Sequence, residues 1–284
     1  MDRGRVRQAE LAEKSIVSRR YNTLPLIHIG CLTGASVPVA SPRFYLSQSL
    51  PRSPQGGLSV ELNEEIARHL QVLRMAVDDP ITLFDGSGGE WLASVSGIGK
   101  RHATAQLLKF DPVERESPLN ITLVQALATS DKMDFIVQKA VELGVAMIQP
   151  VASERATMKL AGDRVQKRTV HWQAVAQSAC EQCGRNRIPV VAELMSLEDW
   201  LAMPNSAPRL MLHPDADGSL VAIAGKTPAL CLLIGPEGGF SEKEVALARM
   251  QGVQAVMFGP RVLRTETAGP AAIAALNAVH GDFR

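Results

Sequence analysis

The chain has 284 residues, of which 46% are hydrophobic and 21% charged, which is typical of a globular protein with one large domain or two ordinary ones. The formal net charge is only +1, so overall basicity does not indicate nucleic-acid binding, and any such partner must meet a local patch. Four scattered cysteines are too few for a disulfide scaffold and predict a reducing, cytoplasmic compartment, and no apolar run approaches the roughly 20 residues that span a membrane.

Residues 1–41 form an extension without a clear structural pattern. Two arginines precede a mildly apolar stretch at 24–40 that ends in small residues, as in a poor signal peptide. His28 interrupts that stretch, and it stands where a lipoprotein cleavage box before Cys31 would need an aliphatic residue. We expect a poorly ordered extension that carries no targeting signal, with a weak signal peptide as the alternative.

Residues 42–114 predict a small β-barrel. Short apolar strands alternate there with Gly-rich turns, at 44–46, 81–84, 90–95 and 102–108. Asn63 is a suitable N-cap for a short helix at 64–75. The polar segment 111–118 has a proline near each end and reads as a linker.

Residues 119–284 predict an α/β domain, because strand-like and helix-like segments alternate. The predicted strands are 121–128, 145–151, 190–192, 210–213, 230–234 and 253–258. Helices are expected from Asp131 to residue 143, over about 161–180, and in an Ala-rich segment at the C-terminal end. Ser241 and Glu244 form an S-x-x-E capping box, which predicts a helix starting at residue 241.

Three of these strands end in the same way, with a proline that cannot continue a sheet ladder: Pro214, Pro236 and Pro260. Ligands of α/β proteins bind at the carboxyl ends of strands, so the three exits favour one shared crevice over three ordinary strand ends. The Gly-rich loop 235–239 has neither the ending of a P-loop nor GxGxxG. The sequence therefore predicts a ligand held by backbone groups, not by its phosphates.

The second loop, residues 261–267 (RVLRTET), is rich in polar groups for a segment between buried elements. It can belong to the crevice, or serve only as a helix cap and ion pair. Pro270 is expected near the start of the following helix, where its missing N–H is tolerated.

A C-x-x-C pair and several basic residues lie between residues 152 and 190. A zinc site would need further ligands near Cys180 and Cys183, and a redox pair would begin a helix rather than end one. We interpret these cysteines as structural or incidental. This segment contains seven basic and three acidic residues, which fits either a solvated helix face or a phosphate-contacting surface.

The segments IGPEGGFSEKE (234–244) and FGPRVLRTETA (258–268) resemble the closing part of the SPOUT class of RNA methyltransferases. More narrowly, the chain resembles the RsmE family of ribosomal RNA (uracil-N3)-methyltransferases. Further matching segments are HLQVLRM with Arg74, SDKMDF with Lys132, QKAVELGV, SERA, ACEQCGRNRIP and LHP. The resemblance covers residues 42–282. It departs from the family where Ala268, Gly269 and Pro270 follow the RTET run.

The resemblance implies a PUA-like RNA-binding β-barrel at 42–114 and a SPOUT-type α/β domain at 119–284 with a C-terminal trefoil knot. A knot breaks the usual rule of unknotted connections. It also implies S-adenosylmethionine (SAM) as cofactor, a homodimer, a ribosomal RNA or small-subunit substrate, and no metal or membrane partner. The implied cofactor-binding residues are Leu212, His213, Ile234, Gly235, Pro236, Glu237, Gly238, Gly239, Gly259, Val262, Leu263, Arg264 and Thr265.

The expected reaction is SAM-dependent methylation of N3 of a specific uridine in 16S ribosomal RNA on the assembled small subunit. Arg264 or Arg185 would stabilise a uracil oxygen, and Glu266 or Glu181 would act as base. The candidate RNA-contacting residues are Arg43, Arg74, Arg155, Lys159, Arg185, Asn186 and Arg187. The alternatives are a non-catalytic RNA-binding protein of the same fold and a SPOUT methyltransferase that acts on another RNA base.

Overall fold

The computed structural model describes residues 41–52, 57–224 and 227–283, excluding the side chains of 223 and 224. Apart from Ser41, the predicted extension at 1–41 lies outside the described residues. Within the described ranges, no helix is long and apolar enough to cross a membrane. The described chain contains two separate β-sheets.

The first sheet has five strands in the order β1-β3-β4-β5-β2. The strands are β1 (Arg43–Tyr45), β2 (Ser59–Leu62), β3 (Pro80–Phe84), β4 (Glu90–Ile98) and β5 (Ala103–Asp111). β1 and β3 are parallel, and the other pairs are antiparallel. The described residues form no ladder between the edge strands β1 and β2, so the predicted barrel is a half-barrel. Its core is filled by large side chains such as Phe44, Leu83 and Trp91.

The helix of this unit, α1 (Glu64–Val72), begins where the sequence predicted but ends three residues earlier. The Asn63 side chain accepts a hydrogen bond from the Ile66 N–H at 2.9 Å, which satisfies one unpaired donor of the first turn. Arg74 ends the helix with a left-handed φ of 57°. Met75 N–H then bonds back to the Leu70 carbonyl at 3.0 Å, as in a Schellman motif.

The second sheet has seven strands, and all of its pairs are parallel. Its order is β12-β10-β11-β6-β7-β8, with β9 also pairing with β7. The strands are β6 (Asn120–Ala126), β7 (Met147–Ala152), β8 (Val190–Val191), β9 (Met195–Ser196), β10 (Arg209–Leu212), β11 (Ala229–Ile234) and β12 (Gln254–Val256). The predicted α/β domain with a parallel sheet is confirmed, whereas the trefoil knot stays a prediction.

Helices cover both faces of this sheet. They are α2 (Ser130–Glu142), α3 (Asp163–Cys183), α4 (Leu197–Ala202), α5 (Leu220–Ala224), α6 (Glu242–Met250) and α7 (Thr265–His280). The consecutive residues Leu123 and Val124 lie in different hydrophobic clusters, because neighbouring side chains of a strand point to opposite faces. The Leu123 face packs against α2, α3 and α7, and the Val124 face packs against α4 and α6.

The C-terminal helix begins earlier than the sequence suggested. It starts at Thr265, so Pro270 lies inside it, and the prediction that Pro270 sits near the helix start is wrong. Because Pro270 has no N–H, the Glu266 carbonyl lacks the helical hydrogen bond that the residue four positions later would donate. The preceding Gly269 is buried, and an added Cβ would lie 3.4 Å from Leu123 Cδ1 and 3.7 Å from Ile234 Cγ1. The Gly-Pro pair therefore occurs where α7 crosses closely over β6 and β11.

Candidate active site

Three neighbouring strands end at one edge of the large sheet. β12, β10 and β11 are adjacent and parallel, with Leu212 opposite Val256 and Met211 opposite Leu233. The loops that follow these strands therefore leave the sheet side by side. The structure brings together the three strand exits that the sequence singled out, and we call this region the crevice.

The loop after β12, residues 257–264, offers backbone donors to a ligand. Gly259, Pro260, Arg261, Val262 and Arg264 are exposed. In the described part of the chain, the N–H groups of residues 258, 259 and 261–264 donate no hydrogen bond. Gly259 has a φ of +75° with open space around it, a conformation that favours glycine. Such a loop can approach a flat ligand with its backbone, as the sequence predicted.

Thr265 fixes the start of α7 against the Gly-rich loop. Its hydroxyl donates to the Gly235 carbonyl at 2.6 Å and accepts from Gln125 Nε2 at 3.0 Å. Gln125 lies at the end of β6, is fully buried, and also donates to the Ala126 carbonyl at 2.9 Å. These hydrogen bonds connect the ends of β6 and β11 to the start of α7.

The capping box predicted at Ser241 and Glu244 is confirmed. Glu244 Oε2 accepts the Ser241 N–H at 2.8 Å, and its other oxygen accepts the Glu154 N–H at 2.7 Å. Arg155 lies over the same loop, with Nη1 at 3.3 Å from the Gly238 carbonyl. The segment 153–156 is thereby tied to the start of α6 by the Glu244 carboxylate and to the Gly-rich loop by the Arg155 guanidinium.

An ion-pair cluster lies beside these loops. Lys132 Nζ is 3.2 Å from Glu237 Oε1 and 3.4 Å from Glu266 Oε2. Glu237 also accepts from the Thr157 hydroxyl at 2.8 Å and from the Thr129 N–H at 3.2 Å. Partial burial opposes ionisation of Glu237, but the hydrogen bonds from Thr157, from backbone N–H groups and from Lys132 outweigh it and lower its pKa to about 2.

The four residues proposed for catalysis do not lie together. Arg264 is exposed at the N-cap of α7, and Glu266 is half-buried in the first turn of that helix. Glu181 and Arg185 lie instead at the end of α3, in contact with residues of the first sheet or the linker. The structure therefore keeps Arg264 and Glu266 at the crevice and separates the other two from it.

Sequence reasoning missed the roles of Lys132 and Gln125. Lys132 was noted only as part of a matching segment, and Gln125 was not singled out. The signal was nevertheless present, since both follow or end a predicted strand whose carboxyl end lies at the same sheet edge as the crevice.

Arg185 is not placed for a direct RNA contact. Only 4% of the residue is exposed. Its guanidinium donates to both oxygens of Glu116, with Nε at 3.1 and 3.2 Å, and to the Val141 and Val145 carbonyls at 3.0 and 2.9 Å. These bonds occupy the donor groups of the side chain, so the position argues against the RNA-contacting and catalytic roles predicted for Arg185.

Arg43 and Asn186 also face the protein interior. Arg43 donates to Glu90 Oε2 at 2.5 Å and to Asn186 Oδ1 at 2.7 Å. Asn186 is fully buried and donates to the Val113 carbonyl of the linker at 2.9 Å. Arg43 and Asn186 therefore join the first sheet, the linker and the end of α3. Together with Arg185 and its partner they form a group that we call the domain clamp: Arg43, Glu90, Glu116, Arg185 and Asn186. Their burial argues against the predicted RNA contacts.

Glu181 links helix α3 to the first sheet through a backbone hydrogen bond. Its carboxylate accepts the Tyr45 N–H of β1 at 3.0 Å. Burial is the largest influence on this group and raises its pKa to about 7. A half-buried carboxyl with a shifted pKa at a domain contact makes a pH-dependent contribution to stability.

We expect the free energy of unfolding to fall as the pH rises from about 4.5 to about 7. The folded-state pKa of Glu181 is about 7, above its ordinary value of 4.5, so its contribution is fully present below the unfolded pKa and is lost as pH rises through the folded pKa. Urea unfolding at several pH values would measure the slope of the free energy of unfolding against pH. Glu181→Gln keeps the acceptor oxygen for Tyr45 and should flatten it; an unchanged slope in that variant would contradict the assignment.

The remaining candidate RNA contacts are accessible. Arg74, Arg155, Lys159 and Arg187 are all exposed. Arg187 also forms an ion pair with Glu114 at 3.2 Å. Their predicted contact with RNA stays a prediction.

The C-x-x-C pair ends helix α3, as the sequence indicated. Cys180 is buried and its Sγ lies 3.6 Å from the Arg187 carbonyl oxygen. Burial raises the pKa of the Cys180 thiol, which disfavours the reactive thiolate. Among the described residues, no group of three metal-ligating side chains is present.

Comparisons with known proteins agree with this geometry. Residues 115–277 match the family model "RNA methyltransferase domain", and residues 62–108 match "RNA methyltransferase PUA domain". The chain is 31% identical over 244 residues to ribosomal RNA small subunit methyltransferase E of Buchnera aphidicola, covering 86% of this chain and 95% of that protein. The chain belongs to the ribosomal RNA small subunit methyltransferase E family.

Similar solved structures also support the conclusion that the chain belongs to this family. The ribosomal RNA small subunit methyltransferase E from Neisseria gonorrhoeae bound to S-adenosyl methionine is 44% identical, with a TM-score of 0.81 over 86% of this chain and all of that chain. A putative methyltransferase from Legionella pneumophila, in complex with the bound cofactor SAM, is 36% identical, with a TM-score of 0.80 over the same shares. The predicted family, PUA-like domain and RNA methyltransferase class are confirmed.

Proposed function

We propose that this protein methylates N3 of a uridine in 16S ribosomal RNA with SAM as methyl donor. The observation that carries the proposal is the crevice, where three parallel strands end and where the loop 257–264 has unpaired backbone donors. The relatives from Neisseria and Legionella bind SAM, which supports the same cofactor here. We further propose a homodimer that acts in the cytoplasm on the assembled small subunit.

The crevice residues fit SAM. The free N–H groups of residues 258, 259 and 261–264 can pair with an adenine edge, and the half-buried Leu212 and Leu263 offer apolar surface. Glu237 and Glu266 carry two negative charges against the single positive charge of Lys132. That surplus is complementary to a cationic sulfonium and amino group. When bound, SAM supplies an electrophilic methyl group on its sulfur.

Arg264 and Glu266 are the residues that we assign to the chemistry. Uracil N3 carries a proton that must be lost before or during attack. Glu266, half-buried next to the cap of α7, would accept that proton directly or through one water. The side chain of Arg264 forms no hydrogen bond or ion pair with the described residues, since only its backbone carbonyl is bonded, to the N–H groups of Thr267 and Ala268. Its guanidinium is therefore available to stabilise the charge that develops on a uracil oxygen.

The target base must leave any stack or pair to enter the crevice. We propose that residues 42–114 act as an RNA-holding domain and that residues 119–284 form the catalytic domain. Four exposed basic residues extend from the Gly-rich loop along the start of α3 and would contact flanking phosphates: Arg155, Lys159, Arg164 and Lys167.

This basic surface predicts RNA affinity that falls steeply with salt. Four phosphate contacts would lower the affinity for single-stranded RNA by roughly 10- to 100-fold between 50 and 200 mM salt. Filter binding over a salt series gives the slope of log affinity against log salt. Lys167→Ala should make that slope shallower by about one contact, and a salt-independent affinity would rule out the surface as a phosphate site.

The function is tested by transfer of labelled methyl from SAM to purified small ribosomal subunits and to naked 16S ribosomal RNA. We expect transfer to a single uridine, mapped by primer extension, with the assembled subunit as the better acceptor. Labelling of another base would favour the related methyltransferase alternative. The absence of both transfer and SAM binding by calorimetry would favour a non-catalytic RNA-binding protein.

A further inference from the structure

The ammonium group of Lys132 connects the two walls of the crevice, which are the Gly-rich loop and the first turn of α7. Lys132 lies in the first turn of α2, directly after β6. Its Nζ reaches Glu237 in the Gly-rich loop after β11 and Glu266 in the first turn of α7. The two glutamates belong to different elements, a loop and a helix, that follow different strands, so Lys132 joins three elements at the sheet edge.

The two carboxylates depend on Lys132 to different degrees. Glu237 has additional donors in Thr157 and the Thr129 N–H. Glu266 Oε2 is buried and accepts no hydrogen bond of good geometry from any described residue. Lys132 is the one cation within 4.0 Å of Glu266 in the described structure. Removing the ammonium would leave Glu237 held in place and Glu266 without a counter-charge.

The three side chains are only partly accessible, with 22% of Lys132, 26% of Glu237 and 22% of Glu266 exposed. Partial burial reduces screening by water relative to a fully exposed ion pair. When the lysine is lost, the carboxylates of Glu237 and Glu266 also repel each other. The two walls would then move apart at the place where the cofactor and the target base meet.

We propose that Lys132 is a positioning residue for methyl transfer, which sets the distance between the Gly-rich loop and the first turn of α7. This inference rests on the proposed function. It assigns to Lys132 no contact with the transferred methyl group; the residue acts through Glu237 and Glu266. The same ammonium orients Glu266 as the proton acceptor.

The test compares Lys132→Met with Lys139→Met. Methionine keeps the apolar length of the side chain and removes the charge. Lys139 lies on the same helix and pairs with Glu142 at 2.8 Å, so it controls for the loss of one lysine–glutamate pair from α2. We expect Lys132→Met to raise the Kd and KM for SAM roughly tenfold, within the range of typical coupling between sites. The KM for RNA and the thermal midpoint should match those of the Lys139→Met protein.

A second variant separates positioning from folding. Lys132→Arg keeps the charge and should restore SAM affinity to within about threefold of the original protein, because the guanidinium can still meet both carboxylates. In a double-mutant cycle, Glu266→Gln should cause a smaller loss of SAM affinity in the Lys132→Met background than in the original protein. Both results would also hold if Lys132→Met lowered stability.

The outcomes keep the two proposals apart. If the unaltered protein neither binds SAM nor transfers methyl, the proposed function fails. If it does both and Lys132→Met shows the same KM for SAM as Lys139→Met, the positioning role of Lys132 is wrong while the function stands. A rise in the KM for SAM confined to Lys132→Met and reversed by arginine supports the inference.

Discussion

Arg264→Ala is expected to lower kcat about 10²- to 10³-fold, the loss found when one donor to a developing oxyanion is removed. The structure supplies the reason for so large an effect with so little cost to folding. Arg264 is exposed, its backbone is the N-cap of α7, and its side chain makes no bond to the described residues. The thermal midpoint should therefore stay within the range of ordinary surface substitutions.

Two variants sharpen this test. Arg264→Lys keeps the charge but loses the planar fork of donors, so its kcat should be intermediate. Arg249→Ala removes an exposed arginine from the last turn of α6, outside the crevice loops, and should leave kcat unchanged. A single-turnover assay with saturating SAM and RNA isolates the chemical step. Near-normal turnover by Arg264→Ala would remove this side chain from the mechanism.

Local patterns in the sequence predicted the elements that local chemistry determines. The Asn63 cap and the Ser241–Glu244 capping box both start helices in the structure, because each satisfies unpaired donors within three residues of itself. The strand exits also lie where Gly and Pro predicted them. Parallel pairing then brings these exits to one edge without further information from distant residues.

The sequence was less informative where partners are distant along the chain. Arg185 and Asn186 looked like a polar, basic loop, but their partners Glu116, Val113 and Arg43 lie roughly 70 to 143 residues away. A charge that is exposed and one that is buried in an ion pair have the same local pattern, since burial depends on tertiary contacts. Pro270 was misplaced for a related reason: tight packing of Gly269 on β6 and β11 stabilises helical residues before Pro270, where local propensity alone would not begin a helix.

The domain clamp predicts that Arg185→Ala lowers the free energy of unfolding by roughly 3 kcal/mol, the lower end of the range for breaking a buried ion pair. The lower end applies because Glu116 is 24% exposed and water can reach part of it. The substitution also removes the hydrogen bonds that Arg185 Nη1 donates to the carbonyls of Val141 and Val145. The loss should appear in urea unfolding as a lower midpoint.

Arg187→Ala is the matched control, because it removes the same side chain two residues further along. Arg187 and Glu114 are 53% and 36% exposed, and such surface pairs contribute about 0 to 1 kcal/mol. Trp91 reports on the first sheet, and Trp172 and Trp200 report on the α/β domain, so single-tryptophan versions can follow each part separately. In Arg185→Ala the two transitions should separate, because the linker loses its anchor, whereas in Arg187→Ala they should coincide. Equal losses in the two variants would mean that the buried ion pair of Arg185 contributes no more than a surface pair and does not join the domains.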